Sequence, residues 1–400
     1  MRHNAHAMYL LVALVVGGFN HATGADWPNF RGPNFDGVSD ETGFKKAWST
    51  PPKVIWEREV GSAFSSFAYV NDRLYTCGTK DNQQVLYCLD AKSGAVIWET
   101  PFEKAYRNQH GDGTRATPTV HAGRVYVLGA HGRLICADAG TGKIVWEKQF
   151  DHKPTWAYSG SVLIEGELAV VSPGDEHGSL VAYNKENGEQ VWKTGSDLVG
   201  YATPYPFSFN DKRYIVAFMG DAALIVESKT GREVWRTAWK TDWDINAAMP
   251  IFHDGYLLLT SGYKTGAGLF KLRSKSDGTL SAEKVWQSKV LLNKFQSCIL
   301  HQGKLYASDQ KGLKCVDFLT GKEEWKVPRI KYGSLILADG HLLLLTENGE
   351  LQIAPLSSDG FSPLTNVDVL DGRCWAVSVL HDGRLYARNL DRVVCLDLKG

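Results

Sequence analysis

Leu134-Ile-Cys-Ala-Asp-Ala-Gly-Thr-Gly-Lys-Ile-Val-Trp146 is the stretch that decides the fold, because its pattern returns along the chain. An apolar segment leads into a turn and then into the motif Gly-x-x-x-Trp. A strand that is repeated with its turn indicates a repeat architecture rather than a set of unrelated elements. The motif occurs five times and ends at Trp98, Trp146, Trp192, Trp235 and Trp325.

Two further tryptophans extend the series. Gly278 and Trp286 form a sixth copy with four extra residues in the turn, and Trp56 is a seventh whose preceding strands are missing. The spacings between successive tryptophans run from 39 to 51 residues. Blades of β-propellers repeat with a period of roughly 40–50 residues. The spacing therefore predicts a propeller.

A second signature precedes each motif and supplies the other strands of the repeat. It consists of an apolar strand, a short turn and then Leu-Tyr or Val-Tyr, as in residues 119–126, 299–306 and 380–386. One repeat thus reads strand A, tight turn, strand B, loop, strand C, turn and strand D. In the turn before strand D, Asp138 is placed to cap the turn and Gly142 to adopt a positive φ.

The count of strands predicts a closed ring. The last repeat ends near Asp397 without a strand D, whereas Lys53–Val60 is a strand D with no strands A to C before it. Pairing these two segments completes an eighth blade and hides an exposed edge. We predict an all-β, eight-bladed β-propeller of four-stranded antiparallel blades. Strand A is expected near Ser66, Thr117, Ser161, Tyr205, Ala248, Cys298, Leu335 and Val377, and the strand D without Trp at 364–369.

The repeated tryptophans are predicted to be structural wedges between blades. Burial of an indole removes roughly 150–250 Å² from water. At about 25 cal/mol/Å² this burial contributes about 4–6 kcal/mol as an upper bound. The seven structural tryptophans are Trp56, Trp98, Trp146, Trp192, Trp235, Trp286 and Trp325.

Charge and the amino terminus restrict the class of protein. The chain of 400 residues has 44 basic and 44 acidic side chains, so nothing favours nucleic acid or an anionic membrane as partner. Arg2 and His3 precede an apolar run and then small residues, which is typical of a secretory signal peptide. We expect a signal peptide at 1–24, cleavage near Gly24/Ala25, an N-terminal extension at 25–52 and the propeller at 53–400. The exported chain, periplasmic or secreted, is expected to be monomeric and to lack a transmembrane segment.

The cysteines and histidines are predicted to be structural. Four of the seven cysteines occupy one slot in different repeats, too far apart for disulfides, and are interpreted as small buried hydrophobic residues. A Cys77–Cys88 disulfide across a hairpin is the alternative. His121, His253, His301 and His381 lie at the same turn of different blades and therefore cannot share an ion. Asn34–Asp40 resembles a calcium loop with an incomplete ligand series.

The loops that lead into strand A are the candidate functional site. In a propeller these loops converge at one mouth of the central channel, where aromatic, basic, acidic and amide groups can form a pocket. Arg115 is expected to anchor an anion, with Trp243 or Trp375 stacked on a flat ring. The alternative is a solvated channel whose polar side chains bond one another. The candidate ligand-binding residues are Arg115, Tyr158, Trp243, Asp244, Asn246, Lys331 and Trp375.

The segment at 134–146 resembles the PQQ-type β-propeller repeat. Residues 115–120 and 26–33 are similar to secreted bacterial members of that family, and the likeness covers roughly residues 26–398. The dehydrogenase branch implies a quinone cofactor, calcium, an Asp base and usually a vicinal disulfide, but no two cysteines here are adjacent. The branch of the outer-membrane protein assembly subunit implies a non-enzymatic scaffold. That subunit is normally a lipoprotein, and the apolar run here is followed by no lipid-acceptor cysteine.

These observations favour a non-enzymatic interaction or scaffold module without a cofactor, and envelope protein assembly is the expected setting. Its partners are expected to be proteins or a small ligand at the rim or channel. One alternative is a quinoprotein-like oxidoreductase that uses PQQ and calcium near Arg115, Asp244 and Asn246. A second alternative is a carbohydrate-binding propeller, because the predicted mouth is rich in aromatic residues. No nucleophile, metal or phosphate-binding motif is present in the sequence.

Overall fold

Eight antiparallel sheets form a ring in a computed structural model that describes residues 25–400. The predicted eight-bladed propeller of four-stranded blades is confirmed. The predicted signal peptide, 1–24, lies outside the described residues. The helical elements of the described chain are two single 3₁₀ turns, Asp175–His177 and Asp242–Asp244. Within residues 25–400, no helix has the length and apolarity that a membrane crossing requires.

Each blade runs from strand A at the channel to strand D at the rim. The strands of blades 1 to 4 are Ala68–Val70, Arg73–Lys80, Gln83–Asp90 and Val96–Lys104; Thr119–His121, Arg124–Leu128, Arg133–Asp138 and Ile144–Gln149; Leu163–Glu165, Leu168–Val171, Leu180–Asn184 and Gln190–Thr194; and Tyr205–Phe209, Lys212–Phe218, Ala222–Glu227 and Glu233–Ala238. Those of blades 5 to 8 are Ile251–His253, Tyr256–Ser261, Gly266–Ser274 and Leu280–Ser288; Ile299–His301, Lys304–Asp309, Gly312–Asp317 and Glu323–Val327; Ser334–Ala338, His341–Leu345, Glu350–Pro355 and Thr365–Asp368; and Val379–His381, Arg384–Arg388, Arg392–Asp397 and Val54–Glu59.

The ring closes where the sequence predicts. Val54–Glu59 pairs antiparallel with Arg392–Asp397, and Trp56 lies opposite Cys395. Arg388 reinforces this seam from blade 8. Its buried guanidinium donates to the carbonyls of Cys77 (2.7 Å) and Ser65 (3.2 Å), both of which belong to blade 1. Desolvation lowers the pKa of Arg388 to about 10, so the side chain still carries its charge at neutral pH.

The tryptophans pack between blades, and the glycine of the same motif makes the packing possible. Gly142 of blade 2 lies against the Trp98 ring of blade 1, and a Cβ added there would sit 2.6 Å from a ring carbon. Gly94 lies in the same way against Trp56, with 2.5 Å to the ring. Five of the seven wedges pack in this way on the motif glycine of the next blade, so the glycine and the tryptophan of one motif belong to different interfaces; they are Trp56, Trp98, Trp146, Trp192 and Trp286.

A backbone carbonyl of the next blade accepts the indole N–H of five of the seven wedges, namely Trp56, Trp98, Trp146, Trp286 and Trp325. The Trp98 indole N–H (3.1 Å) and the Tyr75 hydroxyl (3.2 Å) both donate to the carbonyl of Ala139. Within blade 1, Cys88 pairs with Tyr75 on one side and with Trp98 on the other. A Tyr, a small residue and a Trp thus form one row across strands B, C and D. This row explains why Leu-Tyr recurs before the Trp motif.

Three wedges deviate from this pattern. The Trp325 ring meets Phe361 of blade 7, 6.2 Å between centroids, instead of a glycine. The Trp192 indole nitrogen is buried and has no hydrogen-bond partner. Trp235 has no motif glycine to pack on, because Gly278 of the next blade lies against Arg232 instead. Its ring packs edge-on against Phe270, 5.9 Å between centroids. The elongated turn before Trp286 explains this change, since it displaces the glycine.

The cysteines are buried and free, as predicted for small hydrophobic residues. The alternative of a Cys77–Cys88 disulfide is wrong. Cys77 lies opposite Leu86 and Cys88 lies opposite Tyr75, so the two residues are not paired across the hairpin. The seven free cysteines also lack the vicinal disulfide of the dehydrogenase branch.

The positions expected for strand A are joined around the channel by hydroxyl groups. The backbone N–H of Ser66 donates to Thr117 Oγ1 (3.1 Å), and the N–H of Thr117 donates to Ser161 Oγ (2.9 Å). The N–H of Ser161 continues the series to Thr203 Oγ1 (2.9 Å). In blades 1 to 3, the regular strand A begins two residues later than these positions. The reason is that the backbone N–H groups of Ser66, Thr117 and Ser161 donate to hydroxyl groups of the neighbouring blade and are not paired with strand B of their own blade.

The N-terminal extension lies across the channel against several innermost strands. Trp27 pairs with Tyr69 of blade 1, and the carbonyl of Pro28 accepts the N–H of Val120 of blade 2 (2.7 Å). Val38–Ser39 adds a fifth, parallel strand to the channel side of blade 7. These partners lie past the start of each strand A. The extension therefore closes the channel at the end away from the loops that lead into strand A.

Arg31 fastens the extension to blade 6. Its buried guanidinium donates to the carbonyls of Cys298 (2.6 Å) and Asp36 (2.7 Å). Desolvation lowers the pKa of Arg31 from its usual value. Because Arg31 occupies the inside of the Asn34–Asp40 loop, a second cation is disfavoured there, and the calcium-loop interpretation finds no support.

Gly142→Ala tests the wedge, and Gly123→Ala is the matched control. Both glycines have a similar positive φ, +74° and +76°, but only Gly142 meets a ring, whereas no atom lies within 4 Å of a Cβ at Gly123. We expect about 1 kcal/mol of lost stability for Gly123→Ala from backbone strain. Gly142→Ala should lose a further 1–3 kcal/mol or so from overpacking. Urea denaturation of a chain that comprises residues 25–400 measures both, and equal losses would contradict the wedge.

Candidate functional site

A cavity of about 230 Å³ lies at the channel mouth formed by the loops that lead into strand A. Because the extension closes the other end, the cavity is a blind cup, and Phe30 of the extension contributes to its lining. We call this cavity the cup. Its larger lining side chains are Phe30, Phe64, Asn108, His110, Arg115, Trp156, Tyr201, Tyr263, Lys294, Phe295, Gln296 and Trp375.

Aromatic rings from blades 8, 1 and 6 form one side of the cup. Trp375 stacks on Phe64 with 5.3 Å between centroids and an interplanar angle of 19°. Trp375 also packs against Phe295, with 4.5 Å between centroids. Phe295 in turn stacks on Tyr332 at 5.5 Å. We call Phe64, Trp375 and Phe295 the ring wall.

A cation stands at each end of the ring wall. The Arg115 guanidinium lies 5.3 Å from the centroid of the Phe64 ring, and the Lys294 ammonium lies 5.9 Å from the centroid of the Phe295 ring. Desolvation lowers the pKa of Arg115 to about 10. Desolvation, followed by the charge of Arg373, also lowers the pKa of Lys294. Both groups therefore occupy positions in which their positive charge is poorly solvated.

No carboxylate belongs to the lining of the cup within residues 25–400. The nearest acidic side chains have other partners. Asp112 forms an ion pair with Arg107 at 2.7 Å, and Glu347 accepts the indole N–H of Trp375 at 3.3 Å. In the described part of the chain, neither Arg115 nor Lys294 forms an ion pair. The cup is therefore aromatic and cationic.

Hydrogen bonds between blades hold the ring wall in place. The side-chain amide of Gln296 donates to the carbonyls of Tyr332 (3.0 Å) and Trp375 (3.2 Å), which belong to the next two blades. Arg373 donates to the carbonyl of His110 and lies over the Trp375 ring at 4.6 Å. The loops that lead into blades 6, 7, 8 and 2 are thus fixed to one another before any ligand arrives.

Left-handed backbone conformations mark the loops around the mouth. Trp243, Asp244 and Tyr332 all have positive φ, at 69°, 55° and 56°. For residues other than glycine such conformations cost of order 1–3 kcal/mol each and tend to cluster at binding sites. Most other positive-φ residues lie in the tight turns between strands, where the turn geometry requires them. This strain supports a functional role for the mouth.

Two of the seven sequence-predicted ligand residues line the cup, namely Arg115 and Trp375. Tyr158 instead packs against Phe150, 6.1 Å between centroids, in the core between blades 2 and 3. Asn246 is fully buried, and its amide bonds the backbone carbonyls of Met219 (2.7 Å) and Trp239 (3.0 Å). The expectation that these two side chains converge on the mouth is corrected, because both serve the packing between blades.

The other three predicted residues lie outside the lining. Trp243 is 67% exposed beside the mouth, and its neighbour Asp244 is half-buried. Lys331 is exposed to solvent. Phe30, Phe64, Asn108 and Tyr263 line the cup but were not singled out as ligand residues. Phe64 stands two residues before the expected strand position Ser66, and this offset could have identified it.

The calcium of the dehydrogenase branch does not fit these residues. Calcium requires several oxygen ligands, most of them carboxylates or carbonyls. Asp244 is outside the lining, and the side-chain oxygen of Asn246 accepts the hydroxyl of Ser261 at 2.6 Å. The cup also offers no carboxylate to act as the base. The Arg115, Asp244 and Asn246 constellation does not assemble.

One group of possible metal ligands occurs elsewhere in residues 25–400. Asp151, Glu176 and His177 place their ligand atoms within 4.8 Å of one another between blades 2 and 3. Asp151 and Glu176 are exposed, and Asp151 already accepts the His177 ring nitrogen at 2.5 Å. His121, His253, His301 and His381 end strand A in four different blades and do not form a cluster.

The ring of blades joined by Trp wedges defines a PQQ-like β-propeller. The sequence model of the family described as outer membrane protein assembly factor BamB matches residues 40–194 and 81–327. Together these matches span well over half of the chain. The chain therefore belongs to this family of PQQ-like propellers. Quinohemoprotein alcohol dehydrogenase ADH-IIG of Pseudomonas putida is 28% identical over 167 residues, which are 36% of this chain and only 23% of that relative.

Solved structures share the fold at low sequence identity. BamB from Moraxella catarrhalis is 15% identical with a TM-score of 0.61, covering 87% of this chain and 98% of its own. The quinohemoprotein alcohol dehydrogenase ADHIIG from Pseudomonas putida HK5 is 15% identical with a TM-score of 0.65, and the match covers 94% of this chain and 80% of the dehydrogenase. Saccharomyces cerevisiae Sqt1 is 10% identical with a TM-score of 0.64, and the match covers 88% of this chain and 100% of Sqt1. These likenesses concern the fold alone.

Asn246→Ala and Trp243→Ala test whether buried Asn246 stabilises the fold whereas exposed Trp243 does not. We expect Asn246→Ala to lower the free energy of unfolding by about 2–4 kcal/mol, because it leaves buried partners without hydrogen bonds. Trp243→Ala should change it by no more than about 0.5 kcal/mol, because its side chain is largely in solvent. Urea denaturation measures both variants. A stable Asn246→Ala protein would contradict the structural role.

Proposed function

We propose that this chain is a non-enzymatic binding module, an envelope scaffold whose cup receives a small ligand or a segment of a partner protein. The observation that carries this proposal is the blind aromatic cup, held rigid by bonds such as those of Gln296 to Tyr332 and Trp375. Pre-formed apolar clefts with a few polar groups are the usual form of binding sites.

Two further observations support a binding role over a quinoprotein reaction. The lining contains no carboxylate that could serve as a base or as a metal ligand, and Asn246 is committed to backbone carbonyls. The family is described as an outer-membrane protein assembly factor. Assembly factors act by binding partners, and exposed Trp243 beside the cup offers a contact outside the cavity.

Export to the periplasm or beyond is part of this proposal. The apolar run and small residues at 1–24 support it. The backbone nitrogen of Ala25 donates to Asp40 Oδ1 at 3.0 Å. Cleavage before Ala25 would convert that nitrogen into an ammonium group, and a charge-assisted hydrogen bond to the carboxylate is stronger than a neutral one.

A cofactor titration tests the binding module against the oxidoreductase. PQQ and Ca²⁺ are added to the purified mature chain, and alcohol oxidation is followed in a dye-linked assay. We expect no calcium-dependent turnover, because the cup supplies no carboxylate for the metal or for proton abstraction. A quinoprotein alcohol dehydrogenase in the same buffer is the positive control. Turnover that needs calcium and is lost in Asp244→Asn would instead establish the oxidoreductase.

A glycan-binding screen distinguishes a carbohydrate-binding propeller from a protein-binding scaffold. Binding of a neutral oligosaccharide that is lost in Trp375→Ala would favour that alternative over a protein-binding scaffold.

Processing of the amino terminus tests the proposed export. The full chain is expressed in a Gram-negative host, and the periplasmic protein is analysed by mass spectrometry. We expect a mature chain that begins at or near Ala25. Leu14→Arg should abolish both export and cleavage, because it interrupts the apolar run. A periplasmic protein that retains residues 1–24 would contradict the cleavage.

A further inference from the structure

The cup contains two cations, and the nearest carboxylates, Asp112 and Glu347, lie outside its lining. Arg115 and Lys294 both line it, and no carboxylate does so within residues 25–400. Cations that are withdrawn from water without an ionic partner are costly, and a bound anion relieves that cost. The cup therefore favours an anionic occupant.

Arg115 retains donors for such an occupant. Its guanidinium donates to the carbonyls of Gly111 (2.9 Å) and Gly113 and lies 4.4 Å from the centroid of the Tyr106 ring. Five N–H groups are available on a guanidinium, so these two bonds leave three. The carbonyl bonds fix the orientation of the group, which lowers the cost of ordering it when an anion binds.

The ring wall determines the rest of the ligand. Trp375 touches both Phe64 and Phe295, and the two cations stand beside these neighbouring rings. A flat ring packed on this wall gains an aromatic contact of about 0.5–1.5 kcal/mol beyond its area burial. A cavity of about 230 Å³ admits one ring system or one side chain rather than a folded domain.

We propose that the cup binds an aromatic carboxylate without a metal ion, its ring on the wall at Trp375 and its carboxylate at Arg115, with Lys294 as the second cationic contact. This inference rests on the proposed function, because it takes the cup as the binding site. The same chemistry is present in a free aromatic acid and in a peptide in which an aromatic residue adjoins Asp or Glu. It differs from a calcium-held quinone in that arginine and lysine alone supply the positive charge.

Defined probes test two points separately: whether the cup requires a carboxylate on the ligand, and whether that ligand is a free aromatic acid or a peptide. Calorimetry on the mature chain compares naphthalene-2-carboxylate with the neutral 2-naphthamide. A second pair compares Gly-Phe-Asp-Gly, capped at both ends, with capped Gly-Phe-Asn-Gly. One of the two pairs resembles the natural ligand, which is either a free aromatic acid or a peptide. In that pair the carboxylate should bind at least about tenfold more tightly than its amide, because a charge-assisted hydrogen bond in a desolvated site contributes that difference in affinity or more.

Matched variants locate the anion. Arg115→Gln should weaken binding of the preferred carboxylate about tenfold or more, and Lys294→Gln should weaken it several-fold. Arg107→Gln and Lys331→Gln are the controls, because the first pairs with Asp112 in the same loop and the second is exposed near the mouth. Both controls should stay within about twofold of the parent. Arg115→Lys, which keeps the charge, guards against a loop disturbed by loss of the carbonyl bonds, and it should retain part of the affinity.

The outcomes distinguish this inference from the function on which it rests. Preference for either carboxylate over its amide, lost in Arg115→Gln or Lys294→Gln but not in the controls, supports it, and the pair that shows the preference names the source. Equal binding of acid and amide, or binding unchanged in both cup variants, overturns it while the cup remains a binding site. Binding of no probe overturns it as well, and the scaffold function then stands or falls on its own tests.

Discussion

The contact of a tryptophan ring with a glycine of the next blade is the constraint on which this protein depends. At Gly142 a side chain would meet the Trp98 ring at 2.6 Å, and the backbone there has a φ of +74°. Glycine is therefore required for two independent reasons, space and conformation. The same contact recurs at Trp56, Trp146, Trp192 and Trp286, and at these interfaces it limits how closely neighbouring blades approach. The carbonyl of Ala139 also fixes the orientation of the Trp98 ring, because the Trp98 and Tyr75 side chains both donate to it.

Closure of the ring turns this local contact into a site. Strands Val54–Glu59 and Arg392–Asp397 join the two ends of the propeller, and buried Arg388 ties blade 8 to blade 1. The loops that lead into strand A are then brought to one mouth. The extension fills the other end of the channel, with Arg31 bonded to blade 6 and Phe30 in the lining. A cup rather than an open pore results, and its charges lie where water is restricted.

The rigidity of the cup follows from the same architecture. Gln296 bonds the backbone of two other mouth loops, so the position of Trp375 depends on blade 6 as well as on its own blade. A binding site that is ordered in advance loses little conformational entropy when its ligand arrives. Arg115 is ordered in the same way by the carbonyls of its own loop. These features are those of a site that recognises one kind of chemistry.

The repeat made the fold predictable to the level of individual strands. Gly-x-x-x-Trp, Leu-Tyr and the small residue at Cys88 are separate positions of one packing unit, and each is visible in the sequence because it recurs. The missing strand D was predictable for the same reason. The site was less predictable, since its residues do not repeat. Arg115 and Trp375 were placed correctly in the lining, whereas Tyr158 and Asn246 were not.

The physical reason lies in the backbone of the mouth loops. Ala157 has a φ of 68°, which breaks the extended alternation and directs Tyr158 into the core between blades. Alanine rarely adopts a positive φ, so the sequence gives no sign of this turn. The sequence by itself determined the number of blades, the closure and the role of the tryptophans, because these follow from periodic burial. Only the tertiary structure decided which loop side chains face the channel and that the extension closes it, because both depend on contacts between segments far apart in the chain.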